Sequence, residues 1–490
     1  MSTFLKFFPV RAIFLVFVLQ FFGQTAFAAT ADSSFLGNEG TDVELARSKV
    51  RGRKAARLQW ELATTLDAYD RIGTRNPRWD AIARDALVRY ANLLAGDCTG
   101  ECEEQLKVAF ERAVSAGCTD PLVTYFSMRA GCFASDIPAA ESAKLYADAE
   151  EHLQASEYPP IRKCYASVRA AQEAIRAAQT SNDTRAALLN SVPALLTRAE
   201  VQFEYLLRDQ SANRDSIYDL EDKAFFKVAR DTPDGRTRVF EPVATFFEAN
   251  ASKIAGDAPG AGLIEGNFWV QYAWYARGYG WSGSVTEQGW ALFGERLKKA
   301  QTILEKAWSA DPADPNIAIE MMTVELGQGL GRERLETWFR RAMDADPDSC
   351  LAAHSKMLYL EPKWHGSRGE LFEFAQQCFA TANWKSRIPF VLISAHCDLA
   401  DVSDQPSQYW KNPEVWSDVE NFYTAYLKWN PNSVYDRSHY ALKAFRAEKW
   451  RLANELFTAL GDKPDLKALE CSMAQYDRMR RSAALKVQTQ

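Results

Sequence analysis

The stretch "LEKAWSADP", residues 304–312, carries the pattern that decides the fold. The pattern consists of an apolar residue, a second one three positions later and a proline five positions further on. It recurs in "FRRAMDADP" (339–347) and in "YTAYLKWNP" (423–431). Apolar residues at helical spacing lie on one face of an α-helix, and proline ends a helix because it lacks the N–H group and clashes with the preceding turn. The recurrence predicts a series of amphipathic helices, each ending shortly before a proline.

Looser versions of this helix ending occur in "FERAVSAGCTDP" (110–121) and in "ANELFTALGDKP" (453–464). Pro312 and Pro347 lie 35 positions apart. This distance is close to one helical hairpin of about 34 residues. The spacing therefore predicts paired helices that repeat along the chain.

The helix ending resembles the second helix of the tetratricopeptide repeat, over residues 268–350 and 415–465 and in a weaker form over 50–210. The matching positions are Ala300, Leu304, Ala307, Pro312, Ala453, Phe457 and Leu460. The first-helix signature of that repeat, Trp followed by Leu-Gly and Tyr, is largely missing. The resemblance implies helical hairpins that stack into an α-solenoid with a concave binding surface.

Two further segments, "QYAWYARGYG" (271–280) and "LYLEPKWHGSRGELFEFA" (358–375), accompany these helix endings. Together they resemble an uncharacterised family of exported bacterial proteins, described only as a domain of unknown function, over residues 265–400. This resemblance implies a helical-repeat architecture. It assigns no catalytic residues.

We expect an all-α fold in which stacked helical hairpins form a TPR-like α-solenoid with two lobes. The chain has 490 residues, 47% of them hydrophobic and 25% charged, which is an ordinary globular composition. An N-terminal helical lobe is predicted over residues 29–255, a C-terminal TPR-like lobe over 267–475 and a flexible tail over 476–490. The boundary is placed in "AGDAPGAGLIEG" (255–266) because glycine and proline favour connections.

The first 28 residues have the pattern of a secretory signal peptide. Lys6 and Arg11 precede the apolar run 12–22, and Ala26 and Ala28 supply the small residues that a signal peptidase reads. Eleven apolar residues are too few for a hydrocarbon core of roughly 30 Å. We expect cleavage and a periplasmic or extracellular location, with an uncleaved anchor as the alternative.

The charge balance bears on the class of partner. Removing residues 1–28 leaves 56 Lys and Arg against 64 Asp and Glu, a net charge near −8. Nucleic-acid binding needs a basic face, so no nucleic-acid partner is expected. No later stretch is apolar enough to span a membrane.

Nine cysteines remain after residue 28, an odd number. An exported protein can form disulfides, although sequence does not fix their pairing. The disulfide candidates are Cys98, Cys102, Cys118 and Cys132. Cysteines that are simply buried as small apolar residues are the alternative for Cys350, Cys378, Cys397 and Cys471.

Gly278, Gly280 and Gly283 have the G-x-G-x-x-G spacing of a dinucleotide-binding turn. The residues before them predict a helix capped by Asn267 rather than a strand. Ser284 and Glu287 predict a capping box, which would place a carboxylate where a pyrophosphate should lie. We therefore expect a turn between helices and no cofactor. No metal is expected either, since Cys98 and Cys102 lack a second pair at zinc-site spacing.

Nine aromatic residues fall between Phe268 and Phe293, too many for all to face one core. Some are expected to line a ligand groove, although core packing explains most of them. The groove candidates are Tyr275, Tyr279, Trp281, Trp364 and His365. For Trp364 and His365, packing in the loop before a helix is the alternative. His396 and Cys397 would point about 100° apart on a helix, so they do not form a catalytic pair.

These observations favour a non-enzymatic module of the cell envelope that binds a protein or peptide, and no catalytic residues are assigned. The alternative is a glycan-binding or glycan-cleaving envelope protein that uses the aromatic groove. Cleavage would need two carboxyl groups roughly 5–10 Å apart beside that groove. A thiol enzyme, a third option, would need an exposed cysteine with a lowered pKa.

Overall fold

The computed structural model describes residues 42–96, 100–132, 137–180, 183–232, 235–257, 260–278 and 280–489. All regular elements in these residues are helices, and no strand occurs among them. The predicted all-α fold class is confirmed. In the same residues, no helix has the length and apolarity needed to cross a membrane. The described chain divides into two compact units, unit 1 up to Pro347 and unit 2 from Asp348.

Unit 1 is built of helices that pack largely against their neighbours in the chain, above all α6 with α7, α7 with α8 and α12 with α13. Its α-helices are α1 Val43–Thr64, α2 Leu66–Ile72, α3 Asp80–Leu94, α4 Gly100–Ser115, α5 Pro121–Arg129, α6 Ala139–Gln154, α7 Pro160–Thr180, α8 Arg185–Arg208, α9 Arg214–Leu220, α10 Phe226–Asp231, α11 Glu241–Asp257, α12 Ala261–Arg277, α13 Glu287–Ala310, α14 Pro315–Gln328 and α15 Arg332–Ala345. Two π-helical turns, Glu221–Phe225 and Arg236–Phe240, flank α10.

Unit 2 has its own aromatic core, in which the Phe390 ring lies 4.9 Å from the rings of both Phe422 and Tyr426. Its α-helices are α16 Cys350–Leu360, α17 Arg368–Ala380, α18 Val391–Asp401, α19 Pro406–Tyr409, α20 Pro413–Trp429, α21 Val434–Arg446, α22 Trp450–Leu460 and α23 Met473–Gln488. A 3₁₀ turn, Ile388–Phe390, precedes α18. Residues 476–488 of the predicted tail belong to α23, and Tyr476 in this helix is buried.

The predicted helix endings are confirmed. Helices α13, α15 and α20 each end two residues before the proline of the pattern. The apolar positions of the pattern are buried in α15 and α20, and Leu304 is buried in α13. The proline stops each helix without starting the next one. The following helices are capped instead by Asp314, Ser349 and Ser433, whose side chains accept hydrogen bonds from the first-turn N–H groups.

Helix α12 begins earlier than predicted, at Ala261, and Asn267 is a buried residue in its middle rather than its cap. Two of the glycines that suggested a connection, Gly262 and Gly266, lie inside this helix. A Cβ atom at Gly262 would lie 2.8 Å from the Cβ of Ala307, and one at Gly266 would lie 2.4 Å from Leu304 Cδ2. These two glycines therefore let α12 approach α13 closely.

Candidate functional site

The turn between α12 and α13 carries two of the predicted groove residues. Gly278 ends α12 with a left-handed φ of 73°. A 3₁₀ turn, Ser282–Ser284, follows, and Thr286 caps α13 by accepting a hydrogen bond from the Gly289 N–H. The predicted capping box at Ser284 is wrong, because the helix begins three residues later. The glycine pattern thus falls in a helix end and a 3₁₀ turn, without the strand that a dinucleotide fold places before it.

Most aromatic residues around this turn belong to the core of unit 1. The buried ones are Phe268, Trp269, Tyr272, Trp274 and Phe293. Tyr275 is partly buried, with its ring centroid 4.7 Å from that of Phe240. Tyr279 lies outside the described residues. Core packing therefore explains most of the aromatic run.

Two tryptophans of the turn face solvent. Trp281 is 71% exposed and Trp290 is 41% exposed. Arg277 contacts the turn that carries Trp281: its Nη1 donates hydrogen bonds of 3.1 Å to the carbonyl oxygens of Gly278 and Gly280. We call Arg277, Trp281 and Trp290 the Trp281 patch.

Stacking holds the arginine of the Trp281 patch in place. The Arg277 guanidinium lies 5.6 Å from the ring centroid of Trp274 and 5.5 Å from that of Trp290. Partial burial lowers the pKa of Arg277, although an arginine stays charged. The Trp290 ring packs edge-on against Phe293 at 5.9 Å. The Trp290 indole is therefore held by contacts with Arg277 and Phe293.

The other two groove candidates, Trp364 and His365, lie in unit 2 between α16 and α17. His365 is exposed, its N–H donates a 3.2 Å hydrogen bond to the Tyr359 carbonyl, and its ring lies 4.7 Å from the Tyr359 ring. Trp364 is partly buried, with its ring 6.4 Å from that of His365. Ser367 caps α17 by accepting a hydrogen bond from the Glu370 N–H. The loop is thus packed against the end of α16, as the structural alternative expects, and a ligand role for it stays a prediction.

The disulfide candidates are placed only in part. Cys118 and Cys132 are free thiols, and Cys132 Sγ lies 3.4 Å from the Lys107 carbonyl oxygen. Cys98 lies outside the described residues, as does the side chain of Cys102. Burial raises the pKa of both Cys118 and Cys132 to about 11, the opposite of what a nucleophilic thiol needs. The pairing stays a prediction.

His396 has partners that sequence reasoning missed. Its Nε2 lies 3.1 Å from Asp418 Oδ2, and its Nδ1 lies 3.0 Å from the Tyr409 hydroxyl. Both ring nitrogens of this buried histidine are therefore occupied. Burial raises the pKa of the adjacent Cys397, whose sulfur interacts with Lys443. His396 and Cys397 therefore have different partners and do not form a pair, as expected. No spacing in the sequence points to Asp418 or Tyr409.

A second set that the sequence did not reveal consists of the acids around the middle of α12. Asn267 Nδ2 donates a 2.9 Å hydrogen bond to Oε2 of Glu221. Glu221 Oε1 is buried, and no hydrogen-bond donor among the described residues reaches it. Burial raises the pKa of Glu221 well above its ordinary value and that of Glu320 to about 8, with the charge of Asp222 adding to both shifts. We call Glu221, Asp222 and Glu320 the carboxylate cluster.

The carboxylate cluster is internal to the packing of unit 1. Its contact residues Asn267 and Gln271 lie on α12 ten and six positions before Arg277, roughly 15 and 9 Å along a helix. Glu221 and Glu320 are buried, whereas Trp281 faces solvent. Within the described residues, no three His, Cys, Asp or Glu side chains are grouped so that they could hold a metal ion.

Comparisons with known proteins assign no function to these residues. No model of a protein family matches the chain, and no curated protein matches it. Any function must therefore be inferred from the side chains themselves.

Proposed function

We propose that the chain is a non-enzymatic helical-repeat module of the cell envelope that binds a protein or peptide. Residues 1–28 would direct its export, and its helical hairpins would stack as a TPR-like solenoid in two lobes. The packing of α6, α7 and α8, and of α12 to α15, each against its chain neighbours supports this architecture. Stacked hairpins offer an extended surface for a polypeptide.

One observation carries the proposal, namely the exposure of Trp281. Four aromatic residues of α12 are buried, whereas this indole is 71% exposed. Tryptophan and arginine are enriched among the residues that dominate binding energy at protein interfaces. Burying such an anchor typically contributes at least about 2 kcal/mol. A partner with an apolar pocket or an apolar side chain would gain this energy at the Trp281 patch.

The rigidity of the Trp281 patch favours binding further. Arg277 ties the carbonyl groups of Gly278 and Gly280 to the Trp290 ring. Ordering a flexible side chain on binding costs about 0.5–1.5 kcal/mol. Because this turn is already held in place, less of that cost falls on the binding step.

Phage-displayed peptides selected on the chain without residues 1–28 provide a direct test. Affinities of the selected peptides are then measured by fluorescence polarisation for the parent chain, Trp281→Ala and Leu330→Ala. Leu330 is a matched control because it is an apolar residue of unit 1 that is 59% exposed. We expect Trp281→Ala to weaken binding at least about thirtyfold, which corresponds to about 2 kcal/mol. Equal binding by Trp281→Ala and the parent would remove the Trp281 patch from the proposal.

Glycan binding is the second candidate, since a flat exposed indole also stacks on sugar rings. A glycan array probed with the parent chain and Trp281→Ala separates the two candidates. Glycan-array signals that are lost in Trp281→Ala, together with a phage selection that yields no peptide, would favour glycan binding. Glycan cleavage has less support, because Glu221 and Glu320 are buried.

A further inference from the structure

The two ends of α1 are held in unit 1 in different ways. At its C-terminal end, Glu61 and Thr64 are buried and both contact Arg162. In residues 43–60, all of which the structure describes, Ala46 is the only buried residue. The end of α1 is therefore enclosed, whereas its first turns lie on the surface of unit 1.

Ion pairs tie this exposed part of α1 to helices that come much later in the chain. Arg53 pairs with Asp311 at 2.5 Å and with Asp314 at 2.7 Å, in the connection between α13 and α14. Arg57 pairs with Asp219 of α9 at 2.5 Å. These contacts lie at the surface rather than in an apolar core, so attraction between charges accounts for much of the attachment.

The composition of this part of α1 fits such an attachment. Residues 42–58 contain six Lys or Arg against two Asp or Glu, whereas the whole chain has a net charge of −6. Gly52 lies in the middle of the segment, and glycine destabilises a helix interior. Salt screens ion pairs at a surface. Salt or a competing basic segment can therefore loosen the contact.

The packing beneath the first turns of α1 is incomplete. A cavity of about 220 Å³ lies there, and Leu45 and Ala46 of α1 line it together with Trp308 of α13 and Arg341 of α15. Closely packed protein interiors contain few voids larger than a water molecule. The small side chain of Ala46 therefore leaves room that a larger apolar side chain could fill.

The surface on the other side of this cavity carries residue types that are common in protein interfaces. The Arg341 guanidinium lies 4.3 Å from the ring centroid of Trp338 and 5.6 Å from that of Trp308. The two indoles meet edge-on, with their centroids 5.8 Å apart. Tryptophan and arginine often dominate binding energy at interfaces. We call Trp308, Asp311, Asp314 and Arg341 the Trp308 face.

We propose that the Trp308 face is a binding site for a basic amphipathic helix of a partner polypeptide, and that residues 43–57 occupy it in the free chain. An arginine of the partner pairs with Asp311 and Asp314, and an apolar side chain larger than alanine fills the cavity. The inference rests on the proposed polypeptide binding but uses a second surface. Trp308 lies 18 positions after Trp290 on α13, roughly 27 Å along the helix.

Hydrogen exchange of the chain without residues 1–28 tests whether α1 opens from the Trp308 face. We expect amides 47–57 to exchange at least roughly tenfold faster than amides in the middle of α13, because only local opening is needed. Their exchange should become faster still as NaCl rises from about 0.05 M to about 0.5 M. Exchange of 47–57 at the rate of α13, without a response to salt, overturns the proposal.

Two arginine variants make the exchange test specific. Arg53→Gln should speed the exchange of residues 47–57 at low salt, because it removes the pairs with Asp311 and Asp314. Arg51→Gln is the matched control, since Arg51 pairs at 2.7 Å with Glu44 on α1 itself and both side chains are exposed. Equal exchange of the two variants contradicts the proposal.

A labelled peptide of residues 42–58 that carries Ala46→Leu tests the Trp308 face as a binding site. By fluorescence polarisation, we expect it to bind the Arg53→Gln chain roughly tenfold more tightly than the parent or Arg51→Gln, because α1 then competes less. A scrambled peptide of the same composition controls for unspecific attraction of charge. Equal binding of the scrambled peptide, or no binding to the Arg53→Gln chain, overturns the proposal. Peptide selection at the Trp281 patch does not involve Arg53, so the two proposals can fail separately.

Discussion

The Tyr218 hydroxyl donates a 2.6 Å hydrogen bond to Oε1 of Glu320, although the two residues lie 102 positions apart in the chain. This bond joins α9 to α14 inside unit 1, and both side chains are buried. Glu320 therefore sits where its charged form is unfavourable. Its pKa, about 8, makes it a carboxylic acid at neutral pH.

The stability of unit 1 should fall as the pH rises. A carboxyl group with a higher pKa in the folded state binds its proton more tightly there. Its contribution is fully present below the ordinary pKa of 4.5 and is lost as the pH rises to about 8. We expect the opening free energy of α14, measured by hydrogen exchange, to drop by roughly 3–5 kcal/mol over this range. Glu320→Gln keeps an acceptor for Tyr218 and should make the opening free energy of α14 nearly independent of pH. If the opening free energy of this variant still falls with pH as in the parent, other groups such as Glu221 cause the dependence.

The contribution of His354 to the stability of unit 2 should have the opposite pH dependence. Its Nδ1 lies 2.8 Å from the Cys350 carbonyl and its Nε2 lies 3.1 Å from the Ser394 hydroxyl. Burial lowers the pKa of His354 from 6.5 to about 4. Stability is therefore full above pH 6.5 and is lost as the pH falls toward 4. Exchange of α16 amides, corrected for the intrinsic pH effect, should report a loss of roughly 2–3 kcal/mol. His354→Gln should remove that loss, and persistence of the loss in this variant would rule out His354 as its source.

The approach of α12 to α13 should make Gly266 sensitive to a single added methyl group. A Cβ atom there would lie 2.4 Å from Leu304 Cδ2. We expect Gly266→Ala to lower the free energy of unfolding by about 1–3 kcal/mol through overpacking. Gly294→Ala on α13, where a Cβ meets nothing within 4 Å, should instead stabilise by roughly 0.5–1 kcal/mol. Chemical denaturation gives the free energy of unfolding of both variants. Equal changes in the two variants would mean that α12 and α13 move apart without cost to admit the added methyl group.

The buried ion pair between Arg162 and Glu61 should be strongly coupled. Arg162 Nε also donates to the Thr64 carbonyl at 3.3 Å, and Glu61 Oε1 accepts a 2.8 Å hydrogen bond from Ser216. Arg162→Leu alone should cost about 3 kcal/mol, because it leaves the buried Glu61 carboxylate with only Arg57 Nε, at 4.0 Å, as a nearby cation. The double variant with Glu61→Leu should recover part of this loss in a double-mutant cycle by chemical denaturation. Additive effects would show that the two charges are solvated independently.

The local parts of the fold could be predicted from the sequence. Proline after a stripe of apolar residues gives the ends of α13, α15 and α20, because both effects act within one turn of helix. Asn267 shows where local reasoning fails, because an asparagine side chain suits a helix cap equally well. Only its long-range contact with Glu221 shows that it is a buried partner.

The residues of the candidate site could not be predicted from the sequence in the same way. Trp274 on α12 is buried and Trp281 in the turn after α12 is exposed. Both belong to the same aromatic run, so residue type alone does not separate them.

Helix α12 is enclosed over most of its surface, with apolar Trp269 and polar Asn267 alike buried. Two helices that enclose it, α13 and α14, come later in the chain. When the polypeptide emerges during synthesis, α12 therefore appears before the helices α13 and α14 that bury it. A strongly apolar segment stays open to wrong contacts until α14 has followed, which makes this stretch the point at which a chaperone would matter most.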